Sequence, residues 1–235
     1  MRFLIGLLVA LVFTAVFRVP IKKVPWLFYL LAVALSVFLI VNHSLLLPPW
    51  FYKNFMFLLQ SNTLAMGLLT IVMFIGVLDP ESHLRKLLTP IRAELSIIAS
   101  LISIGHVVNY GEAYLNQLLR NFGSMSTNRM LSMAVALVLV LLLAILAVTS
   151  IRIIRMKMNA KSWKRIQILA YPFFGLIFVH LMFFLLPPAL AGGSAARLSI
   201  IVYSVVAFSY TVLRIWQYLR TRGRAQQQAA QQPVI

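Results

Sequence analysis

Seven apolar runs dominate the chain, near Phe3 to Phe17, Val24 to Val41, Phe55 to Val77, Leu95 to Leu118, Leu131 to Ile151, Ile166 to Leu186 and Leu198 to Leu219. A helix rises about 1.5 Å per residue, so a run of about 20 residues crosses a hydrocarbon core about 30 Å thick. Inside lipid every backbone N–H and C=O must be bonded within the protein, which leaves helices as the structure for such runs. A water-soluble domain is excluded on the same grounds. Of the 235 residues 62% are hydrophobic and 11% charged, with a mean hydropathy of +0.94, too little polar surface to cover a fold in water. The expected architecture is an all-α integral membrane protein of about seven transmembrane helices. The first run is the shortest, about 15 residues behind Arg2, the size of a signal-peptide core. No A-x-A cleavage pattern precedes Arg18, so a short or tilted retained helix is expected, with six helices if the run is a signal segment.

Charge is lopsided, 21 Lys and Arg against 4 Asp and Glu, for a formal net charge of +17. Alone, that balance would suit nucleic acid. Its placement between the runs gives a different account. Sixteen of the 21 fall in alternate connections: Arg18, Lys22 and Lys23; Arg85, Lys86 and Arg92; Arg152, Arg155, Lys157, Lys161, Lys164 and Arg165; Arg214, Arg220, Arg222 and Arg224. The other connections hold Arg2, Lys53, Arg120, Arg129 and Arg197. Cytoplasmic loops collect basic residues, so the N-terminus is expected outside and the C-terminus in the cytoplasm. The setting is a multi-pass protein of the inner or plasma membrane, with lipid and no nucleic acid as partner.

The chain divides into an N-terminal helix pair (1–54), a helix core (55–190), a final transmembrane helix (191–220) and a polar, low-complexity tail (221–235) expected to be disordered. Cysteine is absent, which excludes disulfides, thiolate metal sites, iron–sulfur clusters and covalently attached c-type haem. There is no Walker or dinucleotide-binding glycine pattern, no HExxH and no paired carboxylates for hydrolysis.

Ionisable groups inside a membrane helix are costly, so each is a functional candidate. His43 and His83 fall in connections, where solvated or interfacial roles account for them. His106 and His180 lie inside the fourth and sixth runs. These two helices run in the same direction. Counted from Pro90 and Arg165, the histidines stand about 24 Å and 22 Å along them if each segment is helical throughout. Two imidazoles at matched depth suit a bis-histidine haem; two histidines bonded across helices account for the same pattern. Gly105 and Gly175 either make room for a porphyrin or serve close helix packing, and Pro172 should kink the sixth helix below His180.

The stretch from Leu87 to Tyr110, LLTPIRAELSIIASLISIGHVVNY, resembles the first histidine helix of the ferric reductase-like transmembrane domain. Lys161 to His180, KSWKRIQILAYPFFGLIFVH, resembles that family's later histidine helix. In size the chain is similar to the haem-binding membrane subunits of periplasmic methionine sulfoxide reductase systems, which lack flavin and nicotinamide domains. The resemblance implies that His106 and His180 are the axial ligands of one b-type haem. It further implies an electron donor, either a quinol or a separate cytoplasmic flavin reductase, and an extracytoplasmic redox protein or acceptor such as ferric iron. Many family members carry another histidine where this chain has Gln167, and Arg92 and Ala93 stand at the matching level of the fourth helix. The pattern therefore provides for one haem, not two. Gln167 could line a quinone pocket, and Arg92 could meet a quinone headgroup or flavin (FMN) phosphate; a polar residue at a helix entrance is the plainer account of Gln167, and as a positive-inside charge Arg92 needs no such role. Readings from other classes are a haem-free transporter subunit, which would explain the seven spans and Pro172, and a haem-free assembly scaffold, which would leave the matched histidines unused.

Overall fold

The computed structural model describes residues 2–41, 48, 50, 55–120 and 125–230, the side chains of residues 118 and 224–230 excepted. His43, Pro49 and Lys53 lie outside the described residues. Every apolar run is helical: α1 (Arg2–Lys23), α2 (Pro25–Val41), α3 (Phe57–Gln60), α4 (Thr63–Ile75), α5 (His83–Leu88), α6 (Arg92–Arg120), α7 (Thr127–Ser150), α8 (Arg152–Lys157), α9 (Ala160–Gln167), α10 (Ala170–Leu190) and α11 (Ser194–Ala230). Among the described residues five continuous or nearly continuous helices are long and apolar enough to cross a membrane, namely Arg2–Lys23, His83–Gln117, Thr127–Ser150, Ala160–Leu190 and Ser194–Gly223; Pro25–Val41 and Thr63–Ile75 are shorter apolar helices. There is no strand among the described residues.

Three departures from the sequence reading have local causes. The third run, expected as one helix, is divided at Ser61 and Asn62, because Asn62 adopts the left-handed conformation with φ 55° and ψ 20°. The sixth run is interrupted at Ile168 and Leu169. Pro172 has no N–H to offer the carbonyl four residues back, and Tyr171 N–H bonds to Ile168 O instead, at 3.1 Å. The helix is thus interrupted just before Pro172, and His180 does not stand on one unbroken helix from Arg165. The last helix continues to Ala230 through a stretch whose composition suggests a disordered tail; alanine, glutamine and arginine are all good helix formers.

In lipid, helices gain little from hiding apolar surface from one another and associate through close packing, often at small residues. That is how α1 joins the bundle. Gly6, Ala10 and Thr14 line its buried stripe, and a Cβ on Gly67 of α4 would lie 2.8 Å from the Gly6 carbonyl oxygen. On the other side, α2 packs on α6, where a Cβ on Gly105 would come within 2.9 Å of the Ser36 backbone. Ser36 Oγ donates to Leu101 O at 2.7 Å. Gly105 therefore serves close helix packing rather than porphyrin room. The core is built from these elements: Ala10, Ala32, Leu68, Ile91, Leu95 and Ala99 are each at most 1% exposed. Beyond it, α7 packs on both α6 and α10, and α10 packs on α11.

Basic residues from separate connections meet at one end of this bundle. The C-terminal carbonyls of α4 and the turn after it lack helical partners and are taken up by arginines: Arg92 Nε donates to Val72 O at 3.1 Å, Arg214 Nη1 to Gly76 O at 3.4 Å, and Arg85 Nη1 to Leu78 O at 2.7 Å. Positive charge there also complements the helix dipole. Arg220 pairs with Asp79 at the same end.

Candidate functional site

His106 sits on α6, three residues beyond Ser103, so both lie on one helix face. Its Nδ1 is 2.6 Å from the backbone oxygen of Gln60. In an uninterrupted helix that carbonyl would accept from the N–H of residue 64; the left-handed turn at Asn62 redirects it to the histidine. A carbonyl oxygen can only accept, so Nδ1 carries the proton and Nε2 carries the lone pair. The turn is tied down by a reciprocal pair, with Asn62 Nδ2 donating to Ser103 Oγ at 3.1 Å and Ser103 Oγ donating to Asn62 Oδ1 at 3.2 Å.

His180, on α10, is held by Ser132 of α7. Nδ1 lies 3.0 Å from Ser132 Oγ and 3.1 Å from Ser132 O, and Ser132 Oγ donates to the His180 carbonyl at 3.4 Å. The serine is fully buried. Here too the protonated nitrogen is Nδ1 and the ligating lone pair is on Nε2. Aromatic rings link their helices: His106 faces Tyr110 at 4.8 Å, His180 faces Phe184 at 5.3 Å, and Phe184 meets Tyr114 of α6 at 6.2 Å. A bonded pair of histidines would need one ring nitrogen to reach the other; instead each Nδ1 is turned to its own oxygen. Two half-buried neutral imidazoles, each with its back nitrogen held and its front nitrogen left as a donor, form the donor set an axially ligated haem requires. No third His, Cys, Asp or Glu joins a metal-sized cluster among the described residues, so a protein-only site of the zinc type lacks its ligands. A Cβ on Gly175 would meet nothing within 4 Å, which leaves open space five residues before His180.

Arg92 and Gln167 come together on a second feature. Both line a cavity of about 410 Å³ at the basic end, between α4, α6, α7, α9 and α10, with Glu94, Ser100, Arg155 and Trp163 also in its wall. Gln167 Nε2 donates to Thr149 Oγ1 at 3.2 Å and Trp163 Nε1 to Thr149 O at 3.0 Å, which fastens α9 to the end of α7. Arg155 stacks on Trp163 at 4.6 Å. Glu94 Oε2 is buried without a hydrogen-bond partner among the described residues. The cavity extends along α6 to Ser100, six residues or about 9 Å below His106. His83 and Glu112 are exposed and belong to neither feature.

Sequence reasoning missed Gln60, Asn62, Ser132 and Glu94. A signal for the first two was present, since Gln60-Ser61-Asn62-Thr63 is a polar tetrad inside an apolar run, and polar residues in membrane helices mark bonding or breaks. Nothing in the sequence around Ser132 and Glu94 sets them apart from the other polar residues near run ends, and only the packing of the helices gives them partners or a cavity.

Residues 61–179, half of the chain, match the family described as ferric reductase like transmembrane component. A protein of Treponema pallidum (strain Nichols) described as uncharacterized is 41% identical over 167 residues, which cover 71% of this chain and 46% of that protein. The chain thus spans about half the length of the curated relative it matches. No solved structure matches.

Proposed function

The chain belongs to the ferric reductase-like transmembrane component family, a family of membrane electron-transfer proteins, and from that premise we propose that it holds one b-type haem between His106 and His180 and carries single electrons across the membrane. The single observation that carries this reading is the matched state of the two histidines: each Nδ1 is held by a carbonyl oxygen, Gln60 O at 2.6 Å and Ser132 O at 3.1 Å, leaving each Nε2 as the donor atom. Bound there, haem supplies a one-electron couple in a low-dielectric setting. The protein's own contribution is to fix both ring tautomers, to exclude water with Tyr110, Tyr114 and Phe184, and to hold the helices apart at the right spacing.

Electrons enter at the cytoplasmic face, from a quinol or a separate flavin reductase, and leave to an extracytoplasmic redox protein or acceptor. The cavity lined by Arg92 and Gln167 is the proposed place where the donor's quinone ring or flavin phosphate docks. In this reading the chain is the electron-transfer component of an oxidoreductase rather than a self-contained enzyme. The two histidine blocks favour the haem-binding subunits of periplasmic methionine sulfoxide reductase systems as its functional counterpart, in the inner membrane with the basic end cytoplasmic.

The test is an absorption spectrum of the detergent-purified protein before and after dithionite. A b-type spectrum is expected, lost in both His106→Ala and His180→Ala; a colourless, folded preparation from haem-replete cells sinks the proposal. Pyridine haemochrome is expected to give about one haem per chain, because the histidine that a second haem would need is Gln167. A value near two would show that the inner level binds haem by other ligands.

A further inference from the structure

Among the described residues Asn62 is the one non-glycine residue with positive φ, at 55°. Asparagine tolerates that region better than most residues because its short amide can bond locally. Here the amide bonds across to another helix. Asn62 and Ser103 exchange hydrogen bonds at 3.1 and 3.2 Å, and Ser103 is buried at 3% exposure one helical turn before His106. The same left-handed turn sends the Gln60 carbonyl to His106 Nδ1 at 2.6 Å. One residue therefore ties the break in the third run to the histidine helix at two points, through its side chain to Ser103 and through its backbone turn to His106.

His180 is held differently. Its Nδ1 divides between a hydroxyl and a carbonyl at 3.0 and 3.1 Å, and that carbonyl lies within α7, where it belongs to the helical ladder. The Gln60 carbonyl is released from such a ladder and makes the shorter bond. A stronger acceptor on Nδ1–H raises the electron-donating power of Nε2, and a more basic axial ligand favours oxidised over reduced iron.

We propose that Asn62 is a positioning residue that sets the reduction potential of the haem through His106, by holding the Gln60 carbonyl on Nδ1 and locking that arrangement to Ser103. The inference rests on the haem reading above. Glycine at position 62 keeps the left-handed turn and loses the clamp; alanine resists the turn and loses the clamp; Ser103→Ala loses the clamp alone.

The experiment is spectroelectrochemical titration of the haem-loaded full chain in detergent, with low-temperature EPR of the oxidised form and a thermal unfolding scan of each variant. The midpoint potential should rise in the order wild type, then Asn62→Gly and Ser103→Ala together, then Asn62→Ala, with the low-spin EPR signal moving in step. Variants that unfold at lower temperature yet keep the wild-type potential and EPR signal overturn the inference and leave a purely structural Asn62. If Asn62→Ala does not fold, the other two variants decide: a rise in both supports the inference, no rise in either overturns it. A folded wild type without a b-type spectrum overturns the haem reading, and the inference with it, a result distinguishable from an unchanged potential in a red protein.

Discussion

The two halves of the bundle are built on different principles. In α1, α2, α4 and α6, small residues bring backbones into contact, with Gly6 against Gly67 and Gly105 against Ser36, and the large buried cluster lies among them. In α7, α10 and α11 the side chains mostly face outward. Of the most apolar window in the α6 span 44% is buried, against 11% for each of the windows in α7, α9–α10 and α11. His106 belongs to the first half and His180 to the second. A site that straddles them has one ligand fixed by a packed framework and one carried on helices whose outer surfaces are left to lipid or a partner. The bond behind His106 is a single short one from the carbonyl that the Asn62 turn redirects, whereas His180 shares a hydroxyl and a carbonyl.

The largest expected effect comes from breaking the packed half. Gly67→Leu forces a branched side chain where a Cβ alone would be 2.8 Å from the Gly6 oxygen and 2.9 Å from Ala10 Cβ. Neither neighbour has a flexible end that can yield, so a loss of about 3 kcal/mol, the upper range for overpacking, is expected. Thermal unfolding in detergent checks it, and a wild-type midpoint would show that α1 does not pack on α4 as described. Next comes Ser132→Ala. It removes the hydroxyl on His180 Nδ1 and leaves the Ser132 carbonyl, so the tautomer survives with weaker support. Haem retention is expected to fall roughly tenfold, measured as transfer to an acceptor protein, in line with outer-shell partners of metal ligands. An unchanged transfer rate would mean that His180 is as firmly fixed by packing as His106. Smaller, and opposite in sign, is Gly175→Ala. The new Cβ meets nothing within 4 Å, so the gain in helix propensity, about 0.5–1 kcal/mol, should appear as added stability; a loss would reveal that this open side is occupied.

How much of this was legible in the sequence differs between the same two halves. The apolar runs gave the long helices among the described residues but not the short α5, α8 and α9 in the connections, because membrane length and apolar content act run by run. His106 and His180 stood out because an ionisable group in a membrane run is rare, and the structure brings their helices together through Tyr114 and Phe184. Gln167 and Arg92 were legible as polar residues at helix ends and as candidate quinone or flavin contacts; their sharing of one cavity depends on α9 folding back onto Thr149, a tertiary event. The continuous third helix failed as an expectation because hydropathy averages over Asn62, whereas a single left-handed residue suffices to redirect one carbonyl. For Gly105 both porphyrin room and the commoner close packing stood open in the sequence, and the position of Ser36 on α2 decides for packing.

The smallest expected effect tests what joins the halves. At the basic end, α11 reaches back to the end of α4 through Arg220 on Asp79 and Arg214 on the Gly76 carbonyl, and Arg214 also lies over the Tyr171 ring at 4.9 Å. Phe174 and Tyr210 meet nearby at 5.1 Å, with Phe74 of α4 at 5.7 Å from Tyr210, so an apolar contact joins the same elements. The ion pair is partly exposed, with side chains 36% and 26% accessible, and pairs of that kind contribute about 0.5 kcal/mol and weaken with salt. Arg220→Ala should therefore lower the unfolding midpoint only slightly, and raising the salt should shrink the difference between wild type and variant. Tyr210→Ala, which removes a ring that is 8% exposed, should cost several times more than the arginine. The opposite ranking, with the arginine dominant and the ring nearly neutral, would mean that charge rather than packing fastens the outer helices to the core, and the division between a packed and a lipid-facing half would then fail at this end of the bundle.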